Sequence, residues 1–214
     1  MRVAIAGGHG QIALRLETVL KQQGDEPVAL IRNPDHAGDV EQAGAEPAVV
    51  DLEQAGDDEV AQAIAGSDAV VFAAGAGPGS GPERKETMDY GGAVKLIEAA
   101  KRAGVSRYVI VSSMGADADA SGDDTFSVYL RAKGRADDAV RASGLDWTVI
   151  RPGALTNDPG TGSVTLGADV PRGKVSRDDV AAVLAAALTA PNTIGKTADL
   201  IEGDVPVAEA AEAL

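Results

Sequence analysis

Two groups of residues have types and spacings suited to chemistry. The first is the run Gly7-Gly8-His9-Gly10-Gln11-Ile12-Ala13. Gly8, Gly10 and Ala13 fit the G-x-G-x-x-G/A spacing, and Gly7, Gly10 and Ala13 sit three apart. The first small residue lets the chain turn. The second lets backbone N–H groups approach a pyrophosphate, and the third lets a following helix pack close to a strand. The N-terminus of that helix adds a field that favours phosphate. His9 either faces the pyrophosphate or simply fits the turn, and a plain tight turn is the alternative for the whole run. The second group is Tyr129 and Lys133, a Y-x-x-x-K pair at i and i+4 whose side chains point into one space if the segment is helical. Ser112 and Ser113 close an apolar run seventeen and sixteen residues before Tyr129.

These residues need a frame, and the patterning supplies one. Apolar, β-branched runs (Val3–Ala6, Val28–Ile31, Ala48–Val50, Ala69–Ala74, Tyr108–Val111, Trp147–Ile150, Ala198–Ile201) alternate with helical stretches, many closed by glycine. Helices are expected over about Gln11–Gln23, Pro34–Ala43, Glu59–Ala65, Thr87–Ala103, Phe126–Ala142 and Ser176–Ala190. This alternation predicts an α/β fold: a Rossmann-like, doubly wound parallel sheet in a three-layer α/β/α sandwich. A single domain spans 1–214, with a small C-terminal substrate region from about residue 151. Three irregular regions, Gly75–Glu83, Gly115–Thr125 and Gly153–Lys174, each follow a strand. Loops after strand C-termini form the crevice of such sheets, so all three should border the site.

Composition narrows the function. The chain has 214 residues and a hydrophobic content of 44%, enough for a sizeable core. A net charge of −14 argues against nucleic acid and anionic membrane as partners. There is no apolar run of transmembrane length and no signal-peptide layout, so a cytoplasmic location is expected. With no cysteine, disulfides and thiolate chemistry are excluded, and two histidines cannot build an ordinary zinc site, so no metal is expected.

The end of the second strand bears on the cofactor. NAD-selective sites place a carboxylate there, on the ribose 2′-hydroxyl. Here that end reads Ile31-Arg32-Asn33. A guanidinium suits a 2′-phosphate, by roughly 1.5–3 kcal/mol for a charge-assisted bond, so NADP is expected rather than NAD. The alternative for Arg32 is a solvated strand-end charge. Asp35 is a candidate helix cap. Asp51-Leu52, ending strand three, are placed to touch adenine, or serve as a turn.

In order and spacing, the chain resembles the short-chain dehydrogenase/reductase superfamily, in its small atypical branch of NAD(P)-binding, epimerase/dehydratase-like proteins. The segments carrying the resemblance are Gly7–Ile12, Asp51-Leu52, Ala73-Ala74-Gly75, Asp89 before the Ile97–Ala100 helix, Val111–Ala116, the Tyr129–Lys133 pair, Trp147–Gly153 and Val175–Ala181. The resemblance implies a carbonyl reductase mechanism. NADPH gives hydride to a carbonyl carbon, Tyr129 gives the oxygen a proton, and Ser113 or Ser112 bonds that oxygen. Lys133 bonds the nicotinamide ribose and favours loss of the tyrosine proton. It places Ala73, Ala74, Gly75, Ser112, Arg151 and Pro152 beside the cofactor. Asp89 stands where the branch usually carries asparagine, and a carboxylate cannot copy an amide's donor role.

About sixty residues follow Arg151, so the pocket should be small, or completed by a partner subunit as in a homodimer. The leading expectation is an NADP-dependent oxidoreductase acting on a small carbonyl or quinone-like substrate. The alternatives are a non-catalytic NADP(H)-binding redox sensor and an NAD-dependent epimerase or dehydratase.

Overall fold

The computed structural model describes residues 1–77 and 79–214. In chain order its elements are β1 (Arg2–Ala6), α1 (Gln11–Gln22), β2 (Glu26–Ile31), a 3₁₀ turn (Pro34–His36), α2 (Ala37–Gln42), β3 (Glu46–Val49), α3 (Asp57–Ala63) and β4 (Ala69–Phe72). There follow α4 (Pro82–Arg84), a π-helical turn (Lys85–Tyr90), α5 (Gly91–Ala103), β5 (Arg107–Val111), α6 (Thr125–Arg141), β6 (Asp146–Pro152), β7 (Ala154–Thr156), β8 (Ser163–Gly167) and β9 (Lys174–Ser176). The chain ends with α7 (Arg177–Thr189), a second 3₁₀ turn (Pro191–Thr193), β10 (Lys196–Glu202), β11 (Val205–Pro206) and α8 (Val207–Glu212).

Nine strands form one sheet in the order β11-β8-β10-β6-β5-β4-β1-β2-β3. From β3 to β10 every pairing is parallel. The chain winds from β1 outward through β2 and β3, then returns to β4 on the other side of β1. That reversal opens a crevice between the C-terminal ends of β1 and β4, the usual ligand position in a doubly wound sheet.

Strand alternation explains the layers. Val3 and Ile5 of β1, Val71 of β4 and Val109 of β5 point to one face, where they pack with Leu16 and Leu20 of α1 and Val180 and Leu184 of α7. Ala4 and Ala6, Val70 and Phe72, and Tyr108 and Ile110 point to the opposite face, against Val60 of α3, Leu96 of α5 and Val140 of α6. Residues buried on both faces can all be apolar, which is why these strands read as unbroken hydrophobic runs. Among the polar residues that depart from this pattern, Glu17 has the least compensation. Glu17, on the buried stripe of α1, is 0% exposed, and neither carboxyl oxygen has a hydrogen-bond partner. Burial pushes its carboxyl up to about 8.

The expected Rossmann-like α/β fold is what the chain adopts, with two local differences. The region 153–174 is not wholly irregular: it contains β7, β8 and the start of β9, and β8 pairs antiparallel with both β10 and β11 at the sheet edge. These strands are short, and Val164 is the only fully buried residue in β8, so they leave little hydrophobic signal. The helix expected from Thr87 is entered earlier, through Pro82 and a π-helical turn. The expected loop Gly75–Glu83 includes Pro78, which lies outside the described residues. Among the described residues, no helix is long and apolar enough to cross a membrane.

Candidate cofactor and active site

The glycine turn after β1 is shaped by close approach. Gly7 has φ +79°, and a Cβ there would lie 2.6 Å from the Ala74 Cα at the end of β4. A Cβ on Gly8 would lie 2.6 Å from the Ala29 Cβ of β2. The Gly8 N–H donates to Leu30 O (3.0 Å) and the Gly10 N–H to Gly7 O (2.8 Å), which locks the turn. Helix α1 then opens at Gln11 with no side-chain cap and no acidic residue in its first turn. Its leading N–H groups and positive dipole end are left open to an anion. This cradle fits a pyrophosphate.

A cavity of about 320 Å³ opens from the turn toward β2 and β3, lined by Arg32, Asn33, Asp51, Leu52 and the Ala73–Gly77 segment among others. Arg32 is over half exposed and lies 3.6 Å from the Glu53 carboxylate. Arg84 donates to the same Glu53 oxygen from Nε (3.2 Å) and from its terminal nitrogen (3.0 Å), and Thr87 donates to the other (2.7 Å). Burial alone would push the Glu53 carboxyl up, but the hydrogen bonds from Thr87 and Arg84 and the charges of Arg84 and Arg32 hold it below its usual range. His9 stacks on His36 at 3.6 Å between ring centres, and its Nε2 lies 2.7 Å from Asp39. Asn33, not Asp35, caps the turn that follows β2, accepting from the Asp35 N–H (3.1 Å). Asp51 accepts from the Glu53 N–H (2.9 Å) and so also shapes a turn.

The Ala73–Gly77 segment also lines a second cavity of about 520 Å³, with Ile12, Lys85, Asp89, Ser112, Tyr129 and Lys133. The Lys133 ammonium donates to Val111 O (3.1 Å) and lies 3.3 Å from Asp89 Oδ1, with both side chains almost wholly buried. Asp89 Oδ2 accepts from the Ala76 N–H (3.2 Å). Asp89 is therefore the countercharge of Lys133 and a tether for the segment after β4. Tyr129 is half-buried, with its ring centre 6.0 Å from Lys133 Nζ and 5.5 Å from Lys85 Nζ. Lys85 donates to Gly77 O (3.1 Å). A third cavity of about 440 Å³ adjoins through Ser112, Phe126, Tyr129 and Leu155, and adds Ser113, Pro152 and Arg172.

The fold thus gathers Ser112, Ser113, Tyr129, Lys133, Asp89 and Pro152 at one end of the crevice and Arg32, Asn33, Asp51 and Leu52 at the other, with Gly7 and Gly10 between. Gln11 sits exposed at the start of α1. Arg151 does not join them. Its Nε donates to Asp137 Oδ2 of α6 (2.8 Å), a terminal nitrogen pairs with the same oxygen at 2.8 Å, and the side chain lines a separate cavity of about 160 Å³. Burial pushes the Asp137 carboxyl up, opposed by the nearby Ser112 hydroxyl and by Arg151. An arginine one residue past the apolar stretch of β6 points to the α6 face by strand alternation. The sequence alone points to no role for Glu53, His36, Phe126 or Arg172, and Lys85 enters the site only through the fold. The adjacent cations Arg84-Lys85 after β4 were the available signal. Among the described residues, no group of three or more His, Cys, Asp or Glu side chains could hold a metal.

Known proteins share this fold. The chain is 40% identical to the uncharacterized sugar epimerase YhfK of Bacillus subtilis over the full length of both chains. A solved Bacillus halodurans protein named for NAD-dependent epimerase/dehydratase activity is 39% identical, with a TM-score of 0.92 and all of both chains covered. The oxidoreductase ylbE of Lactococcus lactis is 27% identical, with a TM-score of 0.86 over 100% of this chain and 96% of that one. Residues 7–191, from the glycine turn to just past α7, match the NAD(P)H-binding family, and the chain belongs to it.

Proposed function

We propose that the protein is an NADP-dependent oxidoreductase that moves hydride between NADPH and a small carbonyl or quinone-like compound. The observation that carries this reading is the position of Tyr129, in the wall of a cavity that shares the Ala73–Gly77 segment with the glycine cleft, and flanked by the Lys133 and Lys85 ammonium groups. When bound, the dihydronicotinamide supplies the hydride. Tyr129 gives its phenolic proton to the substrate oxygen, and Ser113, with Ser112 behind it, hydrogen-bonds that oxygen. Lys133 stabilises the phenolate that forms, and Asp89 positions Lys133. The oxidoreductase name of ylbE supports the same chemistry. The dinucleotide would lie with its pyrophosphate on the Gly7–Gly10 turn and its adenosine end beside Arg32, Asn33, Asp51 and Leu52.

Arg32 underlies the choice of NADP. Its guanidinium is exposed and weakly tethered, at 3.6 Å from Glu53, so a 2′-phosphate can recruit it. Calorimetric titration should show NADP bound more tightly than NAD. Arg32→Ala should weaken NADP by about 10- to 100-fold, following the loss of one charge-assisted bond, with NAD little affected. Equal affinities of the parent protein for the two dinucleotides would contradict the assignment.

One observation favours a second reading. Lys133 is committed to Asp89 and Val111 O, which suits a non-catalytic NADP(H)-binding module whose partner contacts follow the cofactor's redox state. NADPH consumption with a panel of carbonyl acceptors separates the two. An epimerase, the activity in the names of YhfK and the Bacillus halodurans protein, would instead retain and recycle NAD.

A further inference from the structure

The charge around Tyr129 is opposite to that of the whole protein. The chain carries a net charge of −14. The two cavities that share Tyr129 are nonetheless lined by three cations, Lys85, Lys133 and Arg172, and one carboxylate, Asp89. Asp89 is already paired with Lys133. Among the described residues, the Lys85 ammonium bonds only the Gly77 carbonyl, and Lys85 is 8% exposed. Arg172 is exposed and makes no hydrogen bond or ion pair among the described residues. A cleft of one sign on a surface of the other concentrates field lines and draws in ligands of the opposite charge.

The same cavities have an apolar lip. Phe126 is 62% exposed and Leu155 39% exposed, and both line both cavities. The Phe126 and Tyr129 ring centres lie 6.2 Å apart with 29° between the planes, within the range of favourable aromatic pairs. Holding Phe126 in water has a cost that nothing in the fold explains, and a flat ring laid on it would remove that cost.

We infer that the Tyr129 cavity selects a flat aromatic carbonyl compound carrying a carboxylate, with Phe126 and Leu155 as its apolar platform and Arg172 as its carboxylate clamp. This names the substrate class of the reductase reading and rests on it. Arg172 offers a planar fork of donors that matches a carboxylate in bidentate fashion. Lys85, 5.5 Å from the Tyr129 ring centre, adds positive potential where negative charge develops on the carbonyl oxygen.

The test uses two probes that share the aromatic aldehyde and differ in the charged group, 4-formylbenzoate and its uncharged methyl ester. Binding to the protein loaded with NADP is measured by calorimetry, and turnover by NADPH consumption. The carboxylate should bind at least tenfold more tightly than the ester. Arg172→Glu should reverse that order, and Phe126→Ala should weaken both probes. Lys101→Ala, on a remote surface of α5, should leave the ratio unchanged. Charge discrimination that depends on Arg172 but comes without turnover would uphold this assignment and overturn the reductase reading. Turnover of both probes without discrimination would do the reverse. Equal binding of the two, or binding of neither, overturns the assignment.

Discussion

Tyr129→Phe should lower NADPH-dependent carbonyl reduction at least a hundredfold while NADPH still binds with parental affinity. The substitution removes one oxygen and keeps the ring that meets Phe126 and lies beside Lys85 and Lys133. The fold should therefore be preserved. A positioned proton donor typically contributes 10²- to 10⁴-fold to a rate, and the hydroxyls of Ser112 and Ser113 can replace little of it because they are far weaker acids than a phenol. Steady-state turnover, with NADPH affinity measured separately, separates a lost chemical step from a lost cofactor. Turnover within tenfold of the parent would remove Tyr129 from the mechanism.

Glu17→Gln should make the protein markedly more stable at alkaline pH and change how its stability depends on pH. Glu17 is wholly buried with no partner, and burial pushes its carboxyl from 4.5 to about 8. Between those values the folded protein holds a proton that the unfolded chain has released. Folding stability therefore falls as pH rises through that window, by about 1.4 kcal/mol per unit. The accumulated penalty is on the order of 5 kcal/mol above pH 8 and vanishes below about pH 4.5, comparable to a large fraction of a domain's stability. Glutamine keeps the shape and cannot ionise, so its stability curve should be flatter across this range and should lie above the parent's at pH 8. Urea denaturation at several pH values measures both slopes. Parallel curves for parent and variant would show that Glu17 finds a partner or water in solution.

Much of the frame was legible because it follows from burial. Strands covered on both faces are apolar along most of their length, and β1, β4 and β5 show this after their first residues. The glycine turn was legible for a steric reason, since the approach of Gly7 to Ala74 and of Gly8 to Ala29 leaves no room for a side chain. The Tyr129–Lys133 face followed from helical spacing alone. What sequence could not give is the pairing of charges across distant segments. Whether Lys133 meets Asp89, Arg151 meets Asp137, or Glu53 gathers Arg32, Arg84 and Thr87 depends on how elements from different parts of the chain converge. Asp89 illustrates the difference. Read alone it is an asparagine position that has lost its donor, whereas in the fold it is the countercharge of a buried lysine. The strands β7 and β8 are not legible because they are short and mostly not fully buried.

One dinucleotide should span the crevice from Arg32 to Tyr129, and a crystal structure with NADP bound would show it. The 2′-phosphate should lie at Arg32, the pyrophosphate on the Gly7–Gly10 turn, and the nicotinamide ring in the cavity walled by Tyr129, Ser112 and Lys133. A nicotinamide lying outside that cavity, or a dinucleotide bound in the opposite direction, would contradict it.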